Sequence, residues 1–323
     1  MKKNYNILSI TPINHISGIK KKLSSIGCLH HFNDPLLSDI QDLLPKINIV
    51  FTNPNKSKIF IGEDFINRCQ NLIVICTAST GINHIDINYA KKKNIKIISL
   101  TNKIKTTNKI SSTAEHALAL TLASVRNIVQ ANRSVEKGFW DYTKFIGRQI
   151  NHLNVGVVGY GRLGKKYSHY LNALGSNVFF YDPYAKKRNL KYTKIQKFSN
   201  LLKKSDIISF HVHISNETQH MLNKNNINYL KKNVIIINTS RGDIIDELSL
   251  VKFLRKNNKA KYATDVIENE ILKRKKSPII NFHKKNKNQV IITPHIGGMT
   301  IEAQYIAYTE SVNNLKKFID KIK

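Results

Sequence analysis

Two sets of residues in this chain could do chemistry: a glycine-rich turn, and three polar residues far apart in sequence. The turn is Gly159-Tyr160-Gly161-Arg162-Leu163-Gly164, within VGVVGYGRLGKK. A strand-like run, 155–158, precedes it, and helix-like sequence to about Leu174 follows. The next apolar run, NVFFYD, ends in Asp182, about 20 residues on, the spacing of a dinucleotide fingerprint. Each position has a physical task. Gly159 permits a tight turn, Gly161 lets backbone approach a pyrophosphate, and Gly164 lets helix and strand pack closely. The helix start offers N–H groups and a positive dipole end to phosphates. Asp182 can accept hydrogen bonds from ribose hydroxyls and would repel a 2′-phosphate, so NAD is expected rather than NADP. Lys186, Lys187 and Arg188 soften that preference.

The three polar residues are Arg241, after the run NVIIINTS, Glu270, shortly after AKYATDV, and His295, after QVIITP. Ligands of open parallel sheets bind outside the carboxyl ends of strands, so these residues can converge on one crevice. Their chemistry is complementary. The Arg241 fork can grip a carboxylate. His295 suits a general base for a hydroxyl proton near neutral pH, and Glu270 can fix its tautomer and stabilise the imidazolium. Hydride would leave the carbon as His295 takes the hydroxyl proton. Taken singly, the three read as a turn, a surface carboxylate and a cap; together, downstream of the fingerprint, they read as a site. His211 and His213, in SFHVHIS, lie two apart on an expected strand and so share a face, but no further ligands complete a metal site, and no metal is expected. Ser79, Thr80 and Gly81 follow LIVICT and form either an anion-binding nest or an ordinary turn. His116, within AEHALALTLASV, reads as a packed, hydrogen-bonded histidine.

Positioning these residues requires strands and helices in alternation. Apolar runs YNILSI, INIVFTN, LIVICT and IKIISL come first, then VGVVGY, NVFFYD, DIISFHVH, NVIIINTS, AKYATDV and QVIITPH. Continuous apolar runs suit strands buried on both faces, and the intervening helical stretches imply doubly wound parallel sheets. A long helix is expected from Thr113 to about Lys137, and a last one from about Thr300 to Ile322.

At 323 residues the chain suits two domains, and its 41% apolar content is enough to fill their cores. The net charge is +31. Lysines are scattered, as in Lys91-Lys92-Lys93-Asn94-Ile95-Lys96, with no basic arm or finger spacing, so compositional drift explains the charge better than specific nucleic-acid binding. Cys28, Cys69 and Cys76 have neither disulfide-framework nor zinc spacing, which points to a reducing cytoplasm. MKKNYNILSI followed by Thr11-Pro12 reads as a first strand rather than a signal peptide, and no run is long enough for a membrane helix.

The chain resembles the D-isomer-specific 2-hydroxyacid dehydrogenases. The matching segments are TGINHID, STAEHALAL, VGVVGYGRLG, the strand ending YDP, INTSRGDIIDE, Asp265-Val266 with Glu270 five residues after Asp265, and TPHIGG, in family order from about residue 70 to 310. The resemblance implies a flavodoxin-like substrate domain, 1–101 plus 296–323, and an inserted NAD-binding Rossmann domain, 102–295, with the site in the cleft. It implies an NAD-dependent hydride transfer at C2 of a small D-2-hydroxy acid, with Arg241 on the substrate and His295 as acid/base partnered by Glu270. It further implies that Arg162, Leu163 and Asp182 bind the cofactor, that Thr239 and Asp265 lie near the nicotinamide, and that Ser79–Gly81 takes the substrate carboxylate. The helix from Thr113 resembles the family's dimerisation and hinge element, implying a homodimer. Glu270 speaks against formate, since formate dehydrogenases place glutamine there. His213 and Ile271 stand where the family often has proline. The ending after the last helix implies a short form without a regulatory domain. Substrate identity is not legible; 3-phosphoglycerate is one candidate. Corepressors within the family keep the same three polar residues, so an NAD-sensing binding protein is the alternative.

Overall fold

The computed structural model describes residues 5–54, 58–186, 191–270 and 274–322; Lys187, Arg188 and Ile271 lie outside the described residues. Runs rich in isoleucine, valine and phenylalanine become strands, as their branched and aromatic side chains favour. The first five are β1 (Tyr5–Ser9), β2 (Gly27–His31), β3 (Ile49–Thr52), β4 (Val74–Thr77) and β5 (Lys96–Ile98). They form a parallel sheet in the order β2-β1-β3-β4-β5. The next seven are β6 (Asn154–Val158), β7 (Asn177–Tyr181), β8 (Thr193–Lys194), β9 (Ile207–Phe210), β10 (Ile235–Asn238), β11 (Lys261–Thr264) and β12 (Val290–Ile292). Their order is β12-β11-β10-β9-β6-β7-β8, again parallel throughout. The strand order reverses between β1 and β3 in the first sheet and between β6 and β9 in the second. Those are the switch points where doubly wound sheets open a crevice.

The chain divides into two compact units, Met1–Ile110 with Met299–Lys323, and Ser111–Gly298. The first boundary lies beyond the expected residue 101 because helix Ile104–Thr107 packs on the C-terminal helix Ile301–Ile322. Two edge strands, β2 and β8, escaped the sequence reading. β2 is Gly-Cys-Leu-His-His and contributes only Leu29 to the core, while β8 has two residues. Neither carries the apolar run by which a central strand is recognised.

In the first unit, Ile7, Ile49, Phe51, Val74 and Cys76 form one face of the sheet, covered by helix Ile19–Ser24 and by Tyr308, Val312, Leu315 and Ile319 of the C-terminal helix. Those four recur at spacings of four and three, one helical face. Tyr308 also donates to or accepts from Thr11 Oγ1 at 3.2 Å. In the second unit, Val155, Val157, Ile207, Ile235 and Ile237 face helices Ser112–Val125 and Arg162–Ala173, while Ile208, Ile236 and Tyr262 face helix Glu247–Lys256.

The expected single helix from Thr113 is two: Ser112–Val125 and Ile128–Glu136. Asn127 breaks it in a left-handed conformation, φ 57°, which asparagine tolerates better than most residues. Lys261 Nζ closes the broken end, donating to Ser124 O at 2.7 Å and Asn127 Oδ1 at 2.5 Å. His116 is hydrogen-bonded to Thr293 Oγ1 at 2.9 Å.

β9 ends at Phe210, so His211 and His213 do not share a strand face as the sequence suggested. His211 packs on the Tyr167 ring at 4.9 Å and pairs with Ser209 Oγ at 2.9 Å, whereas His213 is exposed. Burial pushes the His211 imidazole down to about 3. Its folded value lies below the unfolded 6.5, so unfolding takes up a proton between those limits. The stability this contributes is present above pH 6.5 and is lost as the pH falls towards 3. Urea unfolding between pH 7 and 4 is expected to lose at most about 1.4 kcal/mol per pH unit from this group. His211→Gln is expected to flatten that slope; a slope unchanged by the substitution contradicts the assignment.

Candidate active site

The glycine turn leaves β6 at the switch point. Gly159 has φ +89°, and a Cβ there would stand 2.6 Å from His211 O and from Val212 Cγ1. A Cβ on Gly164 would stand 2.0 Å from Gly159 O, which is why the helix can lie so close to the turn. Gly161 differs: nothing lies within 4 Å of its missing Cβ, so its backbone faces open space. Helix Arg162–Ala173 starts directly after it with no side-chain cap, leaving first-turn N–H groups ahead of the helical ladder. Asp182 stands at the end of β7. Its Oδ2 accepts from Tyr160 N at 2.8 Å, and its Oδ1 accepts from Tyr184 N at 2.9 Å and Ala185 N at 3.2 Å. Thr239, just past β10, is 6% exposed, and among the described residues its Oγ1 has no partner. A close backbone turn, an open space over Gly161, an uncapped helix start and an orphaned hydroxyl together fit a dinucleotide.

The three polar residues meet at the same sheet edge. His295 Nδ1 lies 2.8 Å from Glu270 Oε1, and both side chains are about one-fifth exposed, at 20% and 22%. A carboxylate only accepts, so the hydrogen sits on Nδ1. Arg241 Nη1 donates to Ser240 O at 2.5 Å. Burial pushes the Arg241 guanidinium down, and the charges of Glu270 and Asp243 pull it back up. Among the described residues no carboxylate closes on Arg241 as an ion pair, so its fork keeps capacity for an incoming one. His213 belongs to this electropositive corner. Although part of the residue is exposed, desolvation of its ring against its neighbours lowers its pKa, and the charges of Arg241 and Arg162 lower it further. The sequence presents His213 as one of a histidine pair and as a departure from proline, with nothing that places it beside two arginines.

His295 itself is held at φ 56°, a left-handed conformation that costs a non-glycine residue about 1–3 kcal/mol. Asp265 supplies the restraint. Its Oδ1 accepts from Thr293 Oγ1 at 2.5 Å and Ile296 N at 2.8 Å, and its Oδ2 accepts from Gly297 N at 2.7 Å. Burial pushes the Asp265 carboxyl up, but those bonds and His116 outweigh it and hold the group below the usual carboxylate range. Thr293, Ile296 and Gly297, on either side of His295, are thereby tied to one carboxylate.

In the other unit, Ser79 follows β4. Ser79 Oγ donates to Gly81 O at 2.5 Å, and Thr101 Oγ1 donates to Thr80 O at 3.0 Å. Among the described residues no acceptor takes the N–H groups of Ser79, Thr80 and Gly81. That pattern fits an anion nest better than a self-satisfied turn. Among the described residues, no group of three or more histidines, cysteines or acids is arranged to hold a metal.

Residues 118–297 match the family model described as D-isomer specific 2-hydroxyacid dehydrogenase, NAD binding domain. The chain is 34% identical over 267 residues to the D-3-phosphoglycerate dehydrogenase of Archaeoglobus fulgidus, covering 81% of this chain and 49% of that protein. It thus spans about half the length of several phosphoglycerate dehydrogenases it matches. It is 30% identical over 315 residues to the hydroxypyruvate reductase of Blautia hydrogenotrophica, covering 93% and 91% of the two chains. Among solved structures, the D-lactate dehydrogenase of Aquifex aeolicus complexed with NAD and lactic acid superposes with a TM-score of 0.82 at 28% identity, covering 98% and 96%.

Asp182→Ala is expected to raise the NADP-to-NAD ratio of kcat/KM by about tenfold, since a single charge repulsion is removed. Steady-state kinetics with both cofactors check this; an unchanged ratio would mean that Asp182 only staples the turn.

Proposed function

The chain belongs to the D-isomer-specific 2-hydroxyacid dehydrogenase family, and from that premise we propose that it interconverts a small D-2-hydroxy acid and its 2-keto acid with NAD. The carrying observation is the 2.8 Å contact between His295 Nδ1 and Glu270 Oε1 beside an Arg241 that has no carboxylate ion-pair partner among the described residues. NAD, held here, would supply the hydride acceptor for oxidation and, once reduced, the hydride donor for reduction. Gly159, Gly161, Arg162, Leu163 and Gly164 would hold its pyrophosphate, Asp182 its ribose, and Thr239 and Asp265 would lie on its nicotinamide side.

Arg241 binds the substrate carboxylate through its fork and fixes C2 in orientation. The turn Ser79-Thr80-Gly81 is a second anion-binding element for the same class of ligand. With Nδ1 committed to Glu270, proton transfer falls to His295 Nε2. In oxidation Nε2 takes the hydroxyl proton as the C2 hydrogen departs with its electron pair, and Glu270 stabilises the resulting imidazolium. In reduction the protonated ring donates to the carbonyl oxygen. No metal is needed. Among the relatives, phosphoglycerate and hydroxypyruvate enzymes point to short, polar hydroxy acids, with 3-phosphoglycerate one candidate.

A homodimer and a cytoplasmic setting complete the reading. Phe139, Trp140, Tyr142 and Ile146 are exposed in one short segment, Trp140 at 90%, next to exposed Ile128 and Val135 of helix Ile128–Glu136. So many exposed large apolar side chains close together in sequence suit a surface that a second copy covers. The three cysteines are unpaired. Among the described residues no helix is long and apolar enough to cross a membrane.

His295→Ala is expected to lower kcat by about 10²–10⁴-fold while leaving NADH affinity within a factor of a few. Lost NADH binding with turnover retained would contradict the assignment. Trp140→Asp is expected to convert a dimer to a monomer in sedimentation velocity; a wild-type chain that sediments as a monomer would overturn the dimer.

A further inference from the structure

The elements that carry Arg241 and Glu270 are joined by contacts that the proposed chemistry does not itself require. Gly242 follows Arg241, and a Cβ there would stand 1.9 Å from Ile267 C and 2.3 Å from Glu268 N. The turn after β10 therefore lies backbone to backbone against the loop that leads to Glu270. Polar groups bind the two together. Asn269 N, in the residue before Glu270, donates to Asp243 Oδ1 at 3.3 Å. Glu268 N donates to Glu247 Oε1 at 2.9 Å. Glu247 is itself 1% exposed and anchored, its Oε2 accepting from Ser277 Oγ at 2.7 Å and Ile279 N at 3.2 Å.

His220 ties the two segments from a third element. Its backbone N–H donates to Asp243 O at 2.8 Å, and its Nε2 lies 2.7 Å from Glu268 Oε1. His220 O in turn accepts from Asn223 Nδ2 at 2.7 Å. Both His220 and Asn269 adopt positive φ, 47° and 53°. Two non-glycine residues in that region, on either side of one carboxylate, show that the surroundings dictate this geometry. The loop bearing Glu270 is thus fixed two residues upstream, at Glu268, by the side chain of a residue whose backbone N–H also grips the Arg241 turn.

We infer that the His220–Glu268 pair is a positioning device that sets Glu270 against His295 and couples that contact to the Arg241 turn. The inference rests on the dehydrogenase reading and deepens it. Neither residue touches substrate or cofactor; both act through Glu270. The charged groups around His220 are Glu268, Asp243, Asp246 and, through Glu268, Glu247. All are acidic, so His220 is the only basic group among those named, and its ring is drawn to the Glu268 carboxylate at 2.7 Å. His220 is 40% exposed and Glu268 20%, so the pair is open to screening by salt.

The test compares wild type with His220→Ala, His220→Gln, Glu268→Ala and Glu268→Gln. The readouts are kcat and KM for the keto acid, NADH affinity by fluorescence, and the pH dependence of kcat in reduction. Loosening Glu270 withdraws a carboxylate from the imidazole and disfavours its protonated form. The alanine variants are expected to lower kcat by about tenfold with NADH affinity unchanged, as a displaced catalytic contact does. They also move the alkaline limb of the reduction profile to lower pH. His220→Gln keeps a donor facing Glu268 and is expected to restore most of kcat. An NMR titration of the His295 ring needs no turnover and keeps the inference testable if the dehydrogenase reading fails. His220→Ala is expected to shift its midpoint to lower pH. Alanine variants that unfold more easily yet keep the wild-type kcat, pH profile and His295 midpoint overturn the inference. So does a parallel loss of NADH affinity, which would mark a general disturbance of the unit.

Discussion

One buried carboxylate governs the geometry of this site. Asp265 is 2% exposed and spends both oxygens on the turn that carries His295, accepting from Thr293 Oγ1, Ile296 N and Gly297 N. That restraint, together with the His295 N–H bond to Thr293 O at 3.0 Å, holds His295 at φ 56° with its ring against Glu270. The cost of burying a charge is offset because every bond is made to the ionised form, which is also why the group stays charged. Function here depends on a polar network that is satisfied completely; a half-satisfied one would be worse than none.

The second constraint is closeness of backbone. Gly159, Gly164 and Gly242 each sit where a methyl group would collide with a carbonyl or peptide of a neighbouring loop. These contacts draw the ends of β6, β9, β10 and β11 into one edge, so residues more than a hundred positions apart in sequence act on the same small volume. Parallel strands make this possible, because all their carboxyl ends lie on one side. The sheet supplies rigidity, and the loops supply chemistry within limits set by glycine.

Much of this was legible in the residues. The fingerprint from Gly159 to Asp182 has a local spacing, and the order of apolar runs implied two parallel sheets before any coordinate was known. What was missed had no local signature. β2 and β8 are edge strands without a buried apolar run. The break at Asn127 depends on Lys261, 134 residues away, reaching back to close a helix end. His213 beside Arg162 and Arg241, and His220 beside Glu268, are products of tertiary packing. Asp265 had a family-implied place near the nicotinamide, and its task of holding the His295 turn could be read only from its three donors.

The central claim is turnover of a 2-keto acid with NADH, and a spectrophotometric screen at about 340 nm, the band at which reduced nicotinamide absorbs, tests it most directly. The panel should hold glyoxylate, hydroxypyruvate, pyruvate, branched 2-keto acids and phosphohydroxypyruvate. The account predicts NADH oxidation with at least one of them, strongest for a short polar acid. NADH that binds normally while the whole panel stays silent would contradict it and leave a cofactor-sensing protein in its place.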